Sequence, residues 1–533
     1  MGKDNEVGMG STGNNAQEWS STYPYGSASR CQKHTEPFRN IALEMKSTSN
    51  EDVLEDGEVY ISEDHNEEYS LSWVKVALAL IPLATPSAVS IALTFGLAVI
   101  PLAFIGSVLG DKALTGASVG YFIISIVAQY PLCGLTFAMD AFCSQAYGRD
   151  PESDEQGVIL QRGVLVGIVF VVPVNILLLL CQQILPTIYG EEIGAVACDF
   201  MKFGFLFIIP LVTFTAFSKF CLNQLKPQLP MTALIVGIIV TPLTQYLLVK
   251  RGVHGSMLGM VLSAWTQLLV IVCLTLWVEP TRRTFGKIRI REVLDWDELK
   301  EYILLALPSS LFVAAEASAF DVAVLLAATL GTAEGAAFSA TLNCLLIFVS
   351  LAGGMSTAAC AKIGASLGAQ LPRCAWQHVV VAVACALAVS SLNGIIMFVL
   401  FDPILSLFGV GEASLAAAHT VRWVVPLTHV ADSAQYVFQG VFSGMGHNKD
   451  GARILITCLW AIGFPLELLF TYAFGWGISG ILGGLTIGLL LESPAMLWYV
   501  RNVDWEQLAK EASGYSECVQ LEEDPRVMDL ENL

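Results

Sequence analysis

From Trp73 to Val500 the chain passes through one apolar stretch after another, each roughly twenty residues or longer. A helix needs about twenty mostly apolar residues to cross the hydrocarbon layer of a bilayer. Inside that layer the backbone finds no water to bond, so a spanning segment must close its hydrogen bonds within itself or in a barrel. Unbroken apolar runs of this length read as helices. Pro227 to Val249, Gly252 to Val278, Gly335 to Ala361 and Cys374 to Phe401 hold no Asp, Glu, Lys or Arg. Turn residues and charges divide the region into twelve helices, at about 73–109, 115–141, 157–182, 196–221, 228–249, 253–278, 300–330, 335–361, 374–401, 414–444, 451–474 and 477–500. The fold class is therefore an all-α membrane protein with twelve transmembrane helices.

Composition agrees. Charged residues make up 14% of the chain and hydrophobic ones 54%, whereas a soluble domain carries about 25% charged residues. The formal net charge of −19 is a property of the two ends. Fourteen Asp and Glu fall in the first 72 residues against five Lys and Arg, and nine more acids lie between Asp504 and Glu531. Such segments cannot bury a core, so 1–72 is expected to be a disordered acidic tail and 501–533 a second acidic tail. No apolar run precedes Trp73, and the first span is expected to act as the insertion signal. A basic patch on a foldable segment is missing, which argues against nucleic-acid binding.

The basic residues set an orientation. One set of connections holds Arg149, Arg162, Lys219, Lys226, Arg282, Arg283, Lys287, Arg289, Arg291, Lys362, Arg373, Lys449 and Arg453; the alternate set holds Lys112, Lys250 and Arg251. The richer side faces the cytoplasm under the positive-inside rule, and an even number of spans puts both tails there. The longest internal connection, 279–299, is basic and cytoplasmic in this reading. It separates a six-helix lobe at 73–278 from a second at 300–500.

An internal repeat supports that division. Gly134, Ala138, Ala141 and Gly148 near the end of the second span match Gly354, Ala358, Ala361 and Gly368 near the end of the eighth at one constant offset. Two six-helix bundles of equal orientation form a parallel pseudo-twofold repeat, an arrangement that places substrate sites near the midplane.

These same residues resemble a known family. Ala138, Asp140, Cys143, Gln145 and Gly148 reproduce the second-span signature of the multidrug and toxic compound extrusion (MATE) transporters. Gly364, Leu367 and Gly368 resemble the ending of that family's eighth span, and 440–452 its loop between the tenth and eleventh. Pro308, Glu316 and Asp321 sit as in its seventh span. The resemblance covers about 73–510 and is nearest to the eukaryotic branch. The sequence departs from the pattern at Ala317 and Ser318, where the family has an aromatic pair, at Ser443, where it has a basic residue, and in a first span without an acid.

Ionisable groups inside a span are costly and usually functional. Glu316 lies deep in the seventh helix, with Asp321 five positions on. Asp432 lies midway along the tenth, with His429 three positions before it. Glu467 and Glu492 fall in the eleventh and twelfth. The second half thus holds nearly all the intramembrane acids, while Asp140 reads as a structural residue near a helix end. A carboxyl group in a low-dielectric cavity takes up a proton more readily than in water, and an organic cation competes for the same group. The resemblance implies that Glu316 and Asp432 handle proton and substrate, with Asn343 close by. His429 is either a relay or an interhelical hydrogen-bond partner. Gly134, Asp140, Gln145, Gly148, Gly364 and Gly368 form the structural motif.

The expected activity is secondary active transport: export or sequestration of organic compounds, chiefly organic cations or xenobiotics, in exchange for protons by alternating access. A sodium-coupled exporter, a flippase of related fold and, more distantly, a membrane-embedded enzyme are the alternatives. Histidines at 254, 378, 419, 429 and 447 are dispersed and the cysteines form no metal spacing, so no metal or cofactor is expected. The partners are a small-molecule substrate, protons or sodium, and the bilayer of a plasma or vacuole-like membrane, with the chain a monomer. Lys287→Cys in a background without reactive cysteines should resist a membrane-impermeant thiol reagent added outside intact cells and react after permeabilisation. Labelling from outside would invert the topology.

Overall fold

The structure, a computed structural model, describes residues 72–406 and 411–514. Of the acidic tail expected at 1–72, all but Ser72 lies outside the described residues, as does the chain beyond 514.

Among the described residues eleven helices are long and apolar enough to cross a membrane, and they give eleven of the twelve crossings, the fourth being shared between two of them. Helix α1 is Trp73–Leu109 and α2 is Asp111–Arg149. The element Glu155–Met201 turns sharply at Gly190, whose φ of 81° suits only glycine without strain. It therefore holds α3 at 155–189 and the start of α4, which resumes as Gly204–Asn223. Next come α5, Gln228–Arg251; α6, Val253–Trp277; α7, Trp296–Leu330; α8, Thr332–Gly368; and α9, Pro372–Val399. The tenth crossing, α10, is Val424–Met445. It is not among the eleven, because Thr428, His429, Asp432, Ser433, Gln435, Gln439 and Ser443 lower its hydropathy; all seven are buried. The last two crossings are α11, Asn448–Ala473, and α12, Ile478–Asn502. A short helix α13, Trp505–Ser513, follows.

Most expected spans fall on these helices. The tenth differs: it was expected from 414, but Glu412–His419 is a separate helix whose His419 pairs with Asp402 at 3.2 Å, and the crossing begins at Val424. Prolines do not interrupt α1, which carries Pro82, Pro86 and Pro101. In α11 the backbone widens to π-helix on both sides of Pro465, over Ile456–Gly463 and Leu469–Ala473, and α2 does so over Ser125–Gln129.

Two hydrophobic cores match the two six-helix lobes, with one exchange between them. The first turns of α1, through Val76, Leu80, Leu83 and Ala84, belong to the core of the second lobe. The first turns of α7, through Tyr302, Leu305 and Ala306, belong to the core of the first. Glycines make the crossings close. A Cβ at Gly134 would come 2.6 Å from Cα of Ser310 on α7, and one at Gly354 would come 2.3 Å from the Ala84 carbonyl oxygen on α1. The repeated motif thus makes equivalent contacts in both halves.

The lobes also meet at the ends of α2 and α8, on the side of the basic connections. A Cβ at Gly148 would stand 2.1 Å from the Ala365 carbonyl oxygen, and one at Gly368 would stand 2.0 Å from that of Gln145. Gln145 Nε2 donates to the Gly444 carbonyl at 3.3 Å. Helix α13 lies across this junction. Arg149 of α2 donates to the Ala512 carbonyl at 2.6 Å, and Gln370, just past α8, donates to Ser513 Oγ at 2.8 Å. Trp505 packs edge-on against Trp376 of α9.

Gly368→Val should force the α2 and α8 backbones apart, a misfit of about 1–3 kcal/mol or more. Purified in detergent, the variant should show a lower thermal midpoint than wild type, while Ala369→Val, one residue past the contact, should fall less.

Candidate functional site

Three helices of the second lobe bring carboxyl groups together in its interior. The pairing of α10 with α12 is fixed by Thr428 and Thr486, whose hydroxyls are 2.6 Å apart, and by Ser493 Oγ, which donates to the Ala431 carbonyl at 3.4 Å. That register sets Glu492 beside Asp432. Helix α7 adds Glu316, whose Oε2 accepts a hydrogen bond from Gln439 Nε2 of α10. Glu316, Asp432 and Glu492 lie within electrostatic reach of one another. They are 8%, 5% and 0% exposed, and none forms an ion pair among the described residues. Among the described residues neither oxygen of Glu492 has a hydrogen-bond partner at acceptable geometry. An unpaired charge at this depth is costly.

Between the lobes lies a cavity of about 330 Å³. Its floor is at the closed end, where Asp140, Lys219, Cys360 and Ser443 line it, and its walls rise past Phe137, Phe214, Thr241 and Ser263 toward Leu97, Ala98 and Tyr121. Two of its residues reach the carboxyl cluster. Gln439 bonds Glu316, and Tyr436 lies within the electrostatic range of Glu316 and Asp432. The cavity and the acids are thus adjacent compartments divided by one face of α10.

The floor carries an ion pair. Lys219 Nζ of α4 is 2.7 Å from Asp140 Oδ2 of α2, and its ammonium sits 3.5 Å from the centre of the Phe137 ring. Asn223 Nδ2 donates to the other carboxylate oxygen at 3.0 Å. Sequence reasoning counted Lys219 with the basic connections, although the expected span 196–221 contains it, and read Asp140 as a structural residue near a helix end. Lys219 lies inside Gly204–Asn223, and Asp140 lines the cavity about nine residues before α2 ends. Arg162, also counted in a connection, is buried in α3 and pairs with Glu298 at 3.2 Å.

The remaining candidates separate. Asp321 points about 140° around α7 from Glu316 and faces Tyr130 of α2. Asn343 is exposed on the face of α8 that also exposes Leu346 and Ile347, and it does not line the cavity. His429 is fully buried; its ring meets Phe348 of α8 edge-on, and both nitrogens lack a hydrogen-bond partner among the described residues. Glu467 is buried between the two π-helical stretches of α11, against Gly484. Gly134, Gln145, Gly148, Gly364 and Gly368 all lie in the contacts between lobes. Among the described residues no group of three or more His, Cys, Asp or Glu is placed to hold a metal ion. Sequence reasoning missed Tyr436 and Gln439, although their spacing of four and seven residues from Asp432 puts all three on one stripe of a helix.

Comparison with known proteins converges on one family. The sequence model of the MatE family matches the chain twice, over residues 86–247 and 308–469, once in each lobe. An uncharacterized transporter of Schizosaccharomyces pombe is 23% identical over 461 residues, covering 85% of this chain and 84% of its own. Multidrug and toxin extrusion protein 2 of Oryctolagus cuniculus is 25% identical, with 83% and 73% covered. Protein DETOXIFICATION 16 of Arabidopsis thaliana is 27% identical, with 79% and 87% covered. Among solved structures, the eukaryotic MATE transporter AtDTX14 superposes with a TM-score of 0.77 at 18% identity, covering 83% of this chain and 99% of that one. With both lobes matched in sequence and the whole membrane body matched in fold, the chain belongs to the MatE family of multidrug and toxin extrusion transporters and is not an enzyme.

Proposed function

We propose that this transporter exchanges an organic cation for protons by alternating access, with Glu316 as the residue that couples the two and Asp432 as its partner. The observation that carries this reading is the buried carboxyl cluster beside the cavity. Glu316 has a hydrogen-bond donor in Gln439 but no cationic partner, and Gln439 itself lines the cavity. A substrate cation arriving at that wall compensates a negative carboxylate, and a proton compensates it when the substrate leaves. A pH gradient supplies about 1.4 kcal/mol per unit for each proton, and a membrane potential adds about 2.3 kcal/mol per charge per 100 mV when net charge moves. That energy is usable only if the group binds its proton differently in the two access states, because equal affinity shifts nothing. Glu316 stands on α7, whose first turns are packed in one lobe's core while Glu316 itself lies in the other, so a movement of the lobes would change its surroundings. With both tails in the cytoplasm, the substrate leaves the cytoplasm, across the plasma membrane or into a vacuole-like compartment.

Glu316→Gln keeps the shape of the side chain and much of its hydrogen bonding but cannot titrate. In proteoliposomes it should insert normally and lose uphill transport driven by a pH gradient. Asp432→Asn should weaken coupling in the same direction, and the double variant should be little worse than Glu316→Gln, since the two act as one unit. Wild-type uphill transport by Glu316→Gln would sink the assignment. Transport driven by a sodium gradient at equal pH would point to sodium as the coupling ion.

A further inference from the structure

We infer that Asp140, Asn223 and Phe137 form a receptor for an organic ammonium group, which Lys219 fills while no substrate is bound. The identity of the ligand rests on the reading of the protein as a transporter of organic cations; the site is defined by its geometry. A carboxylate with an aromatic face beside it is the arrangement that recognises ammonium ions. Here the ammonium is supplied by the chain: Lys219 Nζ is 2.7 Å from Asp140 Oδ2 and 3.5 Å from the centre of the Phe137 ring. Asn223 holds the second oxygen of Asp140 at 3.0 Å, and through its own bond to the Lys219 carbonyl at 2.9 Å it fixes the carboxylate against α4.

Three observations separate this pair from a purely structural bridge. It borders the cavity, so that the part left exposed, 13% of the Lys219 side chain and 6% of that of Asp140, lies beside a space that a ligand can occupy. The two partners are unequally satisfied. Both oxygens of Asp140 are occupied, but the Lys219 ammonium has only one hydrogen-bond acceptor among the described residues and otherwise meets the ring. Finally, a buried ion pair is generally no more stabilising than apolar residues of similar size, so stability alone does not account for Lys219 in a helix as apolar as Gly204–Asn223. An incoming ammonium exchanges one cation for another at Asp140 and leaves the carboxylate paired throughout. The aromatic and hydroxyl walls above it, Phe214, Tyr121, Thr241 and Ser263, suit a ligand whose remainder is aromatic with hydrogen-bonding groups.

The test is chemical rescue of the full-length protein in detergent, read as thermal midpoint. Lys219→Ala removes the tethered amine and should lower the midpoint. n-Propylammonium, which replaces the atoms removed, should restore at least half of the loss with a saturable dose dependence, while 1-propanol should not. The pair Asp140→Asn with Lys219→Ala should show no such rescue. Absence of saturable rescue, or equal rescue by the alcohol or in the double variant, overturns the proposal. Should Lys219→Ala not fold, calorimetry on the folded wild type decides: phenethylammonium should bind at least tenfold more weakly to Asp140→Asn, and unchanged binding overturns the proposal. These measurements involve no gradient. Glu316→Gln therefore tests the coupling reading and leaves this one standing or falling by itself.

Discussion

The membrane body depends on how closely three pairs of helix backbones approach. In hydrocarbon no hydrophobic force draws helices together, so association rests on dispersion and on small residues that let the backbones touch. Gly148 and Gly368 bring the ends of α2 and α8 to contact distance, while higher in the bundle Gly134 brings α2 against α7 and Gly354 brings α8 against α1. These contacts decide where the lobes join and so where the cavity has a floor. They also set the depth of Asp140, which lies on α2 between Gly134 and Gly148 and takes its height from both.

On that frame the charges are sorted into two kinds. In the first lobe the intramembrane acid is matched: Asp140 has Lys219, and at the closed end Arg162 has Glu298. In the second lobe Glu316, Asp432 and Glu492 are gathered without a cation. Matched charges hold geometry. Unmatched ones in low dielectric lack a counter-charge, and so respond to whatever cation reaches them. The wall between the two arrangements is one stripe of α10, through Tyr436 and Gln439.

Much of this was legible in the sequence. The twelve crossings, the two halves and the paired glycines follow from apolar run length and a repeated motif, since both reflect constraints that act locally along the chain. Glu316 and Asp432 stood out because an acid in a span is conspicuous. Lys219 did not: close to a basic connection, it was read as part of it, although Phe217, Phe220 and Cys221 beside it are buried. Its partner is 79 residues away, and no periodicity within one helix reveals a pairing between two. The same reason hid the separation of Asp321 and His429 from the cluster. Their spacing along α7 and α10 placed them near Glu316 and Asp432, but the neighbours Tyr130 and Phe348 come from α2 and α8. Asn343 shows the converse case, a polar residue in the right helix on the face turned outward.

The exchange of helix ends between the cores bears on how the chain is made. Val76, Leu80 and Leu83 enter the membrane first, yet Gly354 of α8, which meets this part of α1 at Ala84, is synthesised 270 residues later. The first lobe in turn waits for Tyr302 and Leu305 before its own core is filled. Neither half is therefore an independent folding unit, even though each is a complete copy of the repeat. During synthesis the start of α1 stays without its final partners until α8 has been inserted, and α13, which spans the junction, is added last. A chain broken before α8 therefore leaves the start of α1 without the core it packs into.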